Sequence, residues 1–240
     1  MTGISLLPLE GIPEVRAGDD LAALLGEAVE RAGGTEAGDV LVVAQKVVSK
    51  AEGRVLSLDE IEPTEQAREL AAGHDPRHLQ VILSEAARLV RTRAPLVIAE
   101  TRHGFVCASA GVDRSNAAGP DTVVLLPIDP DASARRLSER LGVAVIISDS
   151  FGRPFRNGTT DIAIGVAGIA PLQDLRGVRD PVGYELKTTK IAVADEIAGA
   201  AELVMGKTAG IPAAIVRGVA ASGDGTAREL VIPAERDLFR

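Results

Sequence analysis

Apolar residues recur along this chain in two rhythms. From Asp20 to Arg31, Leu21, Leu24, Leu25 and Val29 fall three or four apart, which predicts a helix that Gly33-Gly34 ends. Residues 63 to 92 carry a similar spacing and predict two helices, parted at Gly73-His74-Asp75-Pro76 with Pro76 opening the second. Asp131 to Leu141 places Ala132, Ala134, Leu137 and Leu141 on one face, with Asp129 or Asp131 as its cap. Thr189 to Met205 predicts a long helix, with Ile191, Ala194, Ile197, Ala198, Ala201 and Met205 as its apolar stripe. The acids Asp195, Glu196 and Glu202 then form its solvated face.

Short continuous apolar runs supply the strands: Ile4 to Leu7, Asp39 to Val43, Leu96 to Ala99, Phe105 to Ala108, Thr122 to Leu126 and Val143 to Ser148. Pro212 to Val216 and Glu229 to Ile232 read as closing strands. Strands and helices come in mixed order, which favours an α+β fold over a doubly wound sheet. No internal repeat or low-complexity linker divides residues 1–240, and the length suits one large domain or two small ones.

The densest chemistry lies between Val145 and Gly168. An apolar run ends in Ser148-Asp149-Ser150, a basic loop follows from Phe151 to Gly158, and then come Thr159, Thr160 and Asp161. Both signs of charge and several hydroxyls at the end of a buried strand suit a site that holds a metal ion and phosphate oxygens together. Gly111-Val112-Asp113-Arg114-Ser115-Asn116 follows another strand. Such residues often only close a turn. Beside the first segment, however, Asp113 and Asp149 are placed to meet on one hard cation, with Ser150 or Asp161 open to a second. Lys46 and Lys50, with Ser49, follow a strand and are placed either to reach phosphates or to solvate a strand end.

Composition narrows this further. The formal charge of -8, with no basic run, argues against a nucleic-acid surface but not against phosphorylated ligands screened by a metal. The single Cys107 excludes an intrachain disulfide and a cysteine metal cluster, fits a reducing cytoplasm, and reads as a buried, inert thiol. No apolar run approaches a membrane span, and the first residues carry no secretory signal. The aromatics are Phe105, Phe151, Phe155, Tyr184 and Phe239, so aliphatic side chains must fill the core. Gly206-Lys207-Thr208 imitates the end of a P-loop, but Ala201 stands where that loop needs glycine. His74, His78 and His103 lack zinc-helix spacing, and no nucleophile elbow occurs.

Taken in order, several segments resemble one family. They are Leu7 to Glu14, Gln45 to Arg54, Ala110 to Asn116, Ser148 to Gly158 and Ala192 to Ile197. Together they are similar to the coenzyme F420:L-glutamate ligases, also called coenzyme F420-0 γ-glutamyl ligases. The details look closest to the ligase domain of the bifunctional actinobacterial form, whose nitroreductase-like domain would begin about where this chain stops. The resemblance implies an α+β fold of two intimately associated subdomains and a cytoplasmic homodimer. It implies GTP-dependent addition of L-glutamate to F420-0, then γ-linked extension through an acyl phosphate. It also implies Mg²⁺ or Mn²⁺, as many as two ions per site, with K⁺ as a further cation.

Carried onto this chain, Ile12, Pro13, Glu14, Val15, Gln45, Lys50 and Asn116 would contact the nucleotide, as would Gly206, Lys207 and Thr208. Asp113 and Asp149 would hold the first metal and Ser150 the second. Gln45 and Ser150 stand where the family pattern has Ser and Thr, and residues 207–210 lack the acidic or amide ligand expected there. Lys50 would offset phosphate charge, and Arg153 and Arg156 suit the substrate carboxylates or the F420-0 phosphodiester. Two other readings use the same residues: another metal-dependent phosphoryl-transfer enzyme, or a non-catalytic module binding F420 or a nucleotide.

Overall fold

Four consecutive apolar residues, Val40 to Val43, are all buried. Alternate residues of a strand face opposite ways, so such a run needs cover on both sides. The computed structural model, which describes residues 3–117, 119 and 121–238, provides it. Phe239 lies outside the described residues. The chain begins β1 (Ser5–Pro8), α1 (Leu21–Arg31), β2 (Val40–Ala44), α2 (Gln45–Ala51) and β3 (Val55–Ser57). It continues α3 (Glu65–Ala71), α4 (Pro76–Glu85), β4 (Ala86–Arg93), β5 (Leu96–Thr101), β6 (Val106–Ala108) and β7 (Thr122–Val124). Then come α5 (Pro130–Leu141), β8 (Ala144–Arg153), β9 (Arg156–Ala167), β10 (Gln173–Asp174), β11 (Lys190–Ile191), α6 (Val193–Met205) and β12 (Ala213–Arg217).

The main sheet has the order β1-β12-β2-β8-β9, with β2 and β8 parallel and the other pairs antiparallel. Leu41, Val43, Val145 and Ile147 share one core with Leu25 of α1 and Leu137 of α5. Val40, Val42 and Ile146 share another with Ile197, Ala201 and Met205 of α6. A third core, around Leu58, Leu79, Ile82 and Leu125, joins α3 and α4 to the small sheets β3-β7 and β4-β5-β6. The fold is α+β, as the mixed element order predicts. No helix among the described residues is long and apolar enough to cross a membrane.

Several boundaries differ from the sequence reading, each because a partner elsewhere in the chain decides them. The second helix of residues 63–92 stops at Glu85, and Ala86 to Arg93 instead pairs with β5. The last long helix starts at Val193, because Lys190 and Ile191 pair with Gln173 and Asp174. Gln45 to Ala51 is helical from its first residue. Ala227 to Leu230 forms a 3₁₀ turn closed by a Thr226–Glu229 capping box, not a strand. The basic segment Phe151 to Gly158 is the tip of the β8–β9 hairpin, with Arg153 opposite Arg156.

That hairpin carries one irregularity that matters for the site. Ile147 pairs with Gly165 but Ser148 with Ala163, so Ile164 is the extra residue of a bulge. Beyond it, Asp149 faces Ile162 and Ser150 faces Asp161. A Cβ at Gly165 would lie 2.4 Å from the Pro130 carbonyl oxygen, so only glycine lets α5 start this close to the sheet. Gly165→Ala is therefore expected to cost about 1–3 kcal/mol in chemical denaturation; unchanged stability would contradict this packing.

Arg217, at the end of β12, fastens the opposite end of the sheet. Its Nη2 donates to Asp39 Oδ2 (2.8 Å) and its Nη1 to Glu36 Oε1 (2.6 Å). Burial pushes the Asp39 carboxyl up, but the Arg217 hydrogen bonds and charge outweigh it and hold the carboxyl below its usual value. Such a depressed carboxyl contributes full stability above its unfolded pKa of about 3.9, and loses it as pH falls through the folded value. Asp39→Asn should cost about 3 kcal/mol at pH 7. The gap from the unaltered protein should close only below about pH 4, as urea titrations at several pH values would read.

Candidate active site

The parallel pairing of β2 with β8 ends at Ala44 and Ser148, and the candidate residues gather beyond it. Two cavities open there. The larger, about 280 Å³, is bordered by Ile12, Pro13, Glu14 and Val15 from the loop after β1, and by Gln45, Lys46 and Lys50 from α2. Asn116, Glu202 of α6 and the segment Gly206-Lys207-Thr208 close it. Every residue that the resemblance assigned to the nucleotide thus lines one cavity. The smaller, about 180 Å³, is lined by Cys107 to Ser109, Gly111 to Asp113 and Phe151-Gly152. Asp149 and Ser150 line both cavities.

Four acids approach one another here, and the environment sorts them. Asp113 is tied down: Lys46 Nζ lies 2.7 Å from its Oδ2, and Ser115 donates to it from both N (2.7 Å) and Oγ (3.0 Å). Burial raises its pKa, but these partners outweigh burial and hold it below the usual carboxylate value. Asp149 has no such cover. Burial pushes it up to about 7, and the charges of Asp113 and Asp161 add to this against the Ser150 amide and Lys46. Asp161 accepts from Ser148 Oγ (3.0 Å) and Ser150 Oγ (2.5 Å). Glu202 is raised by burial and by Asp161, offset by Lys207 and Lys46.

Cations face these acids across the larger cavity. Lys50 is buried on α2 and its Nζ lies 2.5 Å from Glu14 Oε1. Lys207 Nζ donates to Ser150 Oγ. Gln45 is buried; its Oε1 accepts from Ser49 Oγ (2.8 Å), while its Nε2 has no partner. An unpaired buried amide at a cavity wall is costly unless a ligand satisfies it.

The donor set fits a hard divalent cation. Asp113 and Asp149 present only oxygen, and the burial and like charges that raise the Asp149 carboxyl are offset by a positive ion. Among the described residues, no three acidic, histidine or cysteine side chains form a ready cage. An ion would therefore complete its shell with water and phosphate, as Mg²⁺ and Mn²⁺ do. At the place expected for a second ion, the Ser150 hydroxyl lies between Asp161 and the Lys207 ammonium.

The two arginines stand apart from the site residues. Neither Arg153 nor Arg156 lines either cavity. Arg153 Nη2 donates back to Asn157 O (2.9 Å) across the hairpin tip, and Arg156 is exposed there. Pairing of β8 with β9 places both on the hairpin tip. Glu202 was assigned to a solvated face and instead lines the larger cavity. Its signal was available, since an acid in the last turn of a helix opposes the helix dipole. Asp195 is likewise half-buried, its Oδ1 accepting from Ala163 N (2.9 Å). Cys107 is buried and its thiol is pushed up to about 12, chiefly by burial, so it is inert as expected. Phe105 and Phe151 pack edge to face beside it, ordinary core aromatics.

Comparison with known proteins extends this geometry. A family model described as F420-0:Gamma-glutamyl ligase matches residues 11–218. The chain is 49% identical over 257 residues to the coenzyme F420:L-glutamate ligase of Methanopyrus kandleri, covering all of both chains. It is 47% identical over 252 residues to that of Methanothermobacter thermautotrophicus, covering 99% of each. It is 40% identical over 246 residues to that of Archaeoglobus fulgidus, covering 99% of this chain and 96% of the relative. On the strength of the matched length and identity, the chain belongs to the F420-0:gamma-glutamyl ligase family.

Proposed function

We propose that this chain joins L-glutamate to coenzyme F420-0 and extends the γ-linked tail, using GTP to activate the acceptor carboxylate. The observation that carries this reading is the shared wall of Asp149 and Ser150, with Lys46, Lys50 and Lys207 gathered around the larger cavity. A carboxylate does not condense with an amine in water unless its oxygen is first made a leaving group. A carboxylate oxygen of F420-0 attacks the γ-phosphorus of GTP, the bond to the β,γ-bridging oxygen breaks, and GDP leaves with the electron pair. The amine of glutamate then attacks the acyl carbon, phosphate departs with its pair, and the amine sheds a proton.

For the first step the protein mostly positions groups and neutralises charge. Lys50, now paired with Glu14, exchanges that exposed partner for a phosphate oxygen. Gln45 Nε2 gains an acceptor, and Asn116 borders the same cavity. Asp113 and Asp149 would hold a Mg²⁺ or Mn²⁺ ion, which neutralises phosphate charge when bound. Lys207 stands beside Ser150, where the resemblance expected the second ion, and supplies a fixed positive charge there. The same reading carries a homodimer.

Incubating the purified chain with F420-0, L-glutamate, GTP and Mn²⁺ should shift the cofactor by one or more glutamyl units in mass spectrometry. The shift should vanish without GTP or metal. GTP hydrolysis with F420-0 unchanged would sink the assignment in favour of another phosphoryl acceptor. Ligand binding with no turnover of either substrate would favour a passive binding module. Asp113→Asn should lower turnover about 100-fold or more, because it removes a carboxylate that would hold the metal ion against the phosphate. Lys207→Ala should weaken GTP binding about 10-fold, the worth of one charge-assisted hydrogen bond. An unchanged affinity for GTP would remove Lys207 from the phosphate site.

A further inference from the structure

The tip of the β8–β9 hairpin has no part in the nucleotide reading, yet two of its features are unfavourable for folding alone. The first is conformational. The turn residues are Pro154 and Phe155, between the paired Arg153 and Arg156. Phe155 has a φ of 61°, in the left-handed region, where a turn that opens with proline favours glycine or asparagine. Its side chain is also 91% exposed, whereas Phe105 and Phe151 are buried. A bulky aromatic held in that backbone conformation, and in water, marks a position with a function beyond packing.

The second is electrostatic. From Phe151 to Thr160 there are two arginines and no acid, in a chain of formal charge -8. Arg54, Arg88, Arg140 and Arg217 each meet a carboxylate. Among the described residues, Arg153 and Arg156 meet none. Arg153 Nη2 donates to the Asn157 carbonyl (2.9 Å), while its Nε, shielded from water, has no partner. An exposed ring between two guanidiniums suits a ligand with a flat ring next to an anionic phosphate.

The same two strands carry Ser150 and Asp161 on the wall of the larger cavity. At about 3.3 Å per residue, Arg153 stands about 10 Å along β8 from Ser150, and Phe155 no more than about 17 Å. F420-0 is extended on that scale, and its reacting carboxylate is followed by a phosphodiester, a ribityl chain and the deazaflavin ring. We infer that the hairpin tip is the docking platform for the far end of F420-0, with Arg153 and Arg156 on the phosphodiester and Phe155 stacked on the ring. The inference rests on the ligase reading above. It gives the arginines a role outside both cavities, on the part of the substrate that does not react.

Equilibrium dialysis of F420-0 against the full chain supplies the test. Phe155→Asn puts a residue that the turn favours in place of the ring, so thermal unfolding should not fall. Its Kd for F420-0 should rise about tenfold, the worth of one lost ring stack. Phe155→Trp should keep the Kd within about twofold. Arg156→Ala should raise it about tenfold, with Arg156→Lys between the two. Affinity for a non-hydrolysable GTP analogue, KM for L-glutamate and the oligomeric state should not change. An unchanged Kd for F420-0 in both Phe155→Asn and Arg156→Ala overturns the inference. So does a rise in KM for L-glutamate with F420-0 binding intact, which would give the arginines to the amine substrate. A smaller assembly in size-exclusion chromatography overturns it too, by giving the tip to a second copy of the chain. If the unaltered protein binds F420-0 but ligates nothing, the ligase reading fails and the Kd comparison still decides the platform. If it does not bind F420-0, both fall.

Discussion

Asp149 is a half-buried carboxylate that the fold holds without giving it a cation of its own. Burial is expensive for a charge, and two further carboxylates raise the cost. Structures retain such a group only where something else compensates, or where the cost serves a purpose. Here the compensation is partial: Lys46 is spent on Asp113, Lys207 on Ser150, and Lys50 on the exposed Glu14. Each of these pairs can be exchanged when an ion and a polyphosphate arrive together. The site is thus assembled in a state that favours their joint binding.

The sheet makes that arrangement possible. Parallel pairing of β2 with β8 brings the start of α2, with Gln45 and Lys50, beside the end of the apolar run in β8. The bulge at Ile164 resets the register of β9, so that Asp161 comes opposite Ser150. Asp149 and Ser150 of β8 border both cavities. One strand therefore serves as the partition between two cavities of different chemistry, one rich in cations and one walled by acids and backbone.

Much of this was legible in the chain. Helix faces were readable because a 3.6-residue apolar period survives wherever one side meets a core, as in α1 and α5. Asp113, Asp149 and Ser150 were readable because they are acids and hydroxyls directly after buried apolar runs, although β8 continues through Asp149 and Ser150 rather than ending there. The nucleotide-lining residues came from family resemblance, and they do share one cavity. What failed were the elements without a period of their own. Ala86 to Arg93 is a strand because β5 lies beside it, and the segment of Arg153 and Arg156 is a hairpin tip rather than a loop because it pairs with itself.

The sequence by itself determined the continuous apolar core of the sheet, the capped helices, the lone inert thiol and the oxygen-rich character of the site. These follow from local composition and spacing, which act within a few residues. Tertiary structure alone decided that Lys46 would hold Asp113, that Lys207 would reach Ser150, and that Glu202 would turn inward. It also decided that the acids would border two cavities rather than one. Those contacts join residues as many as 67 positions apart, as from Lys46 to Asp113. Only the packing of α2 and α6 against the end of one sheet brings such residues within reach, and no local pattern encodes that distance.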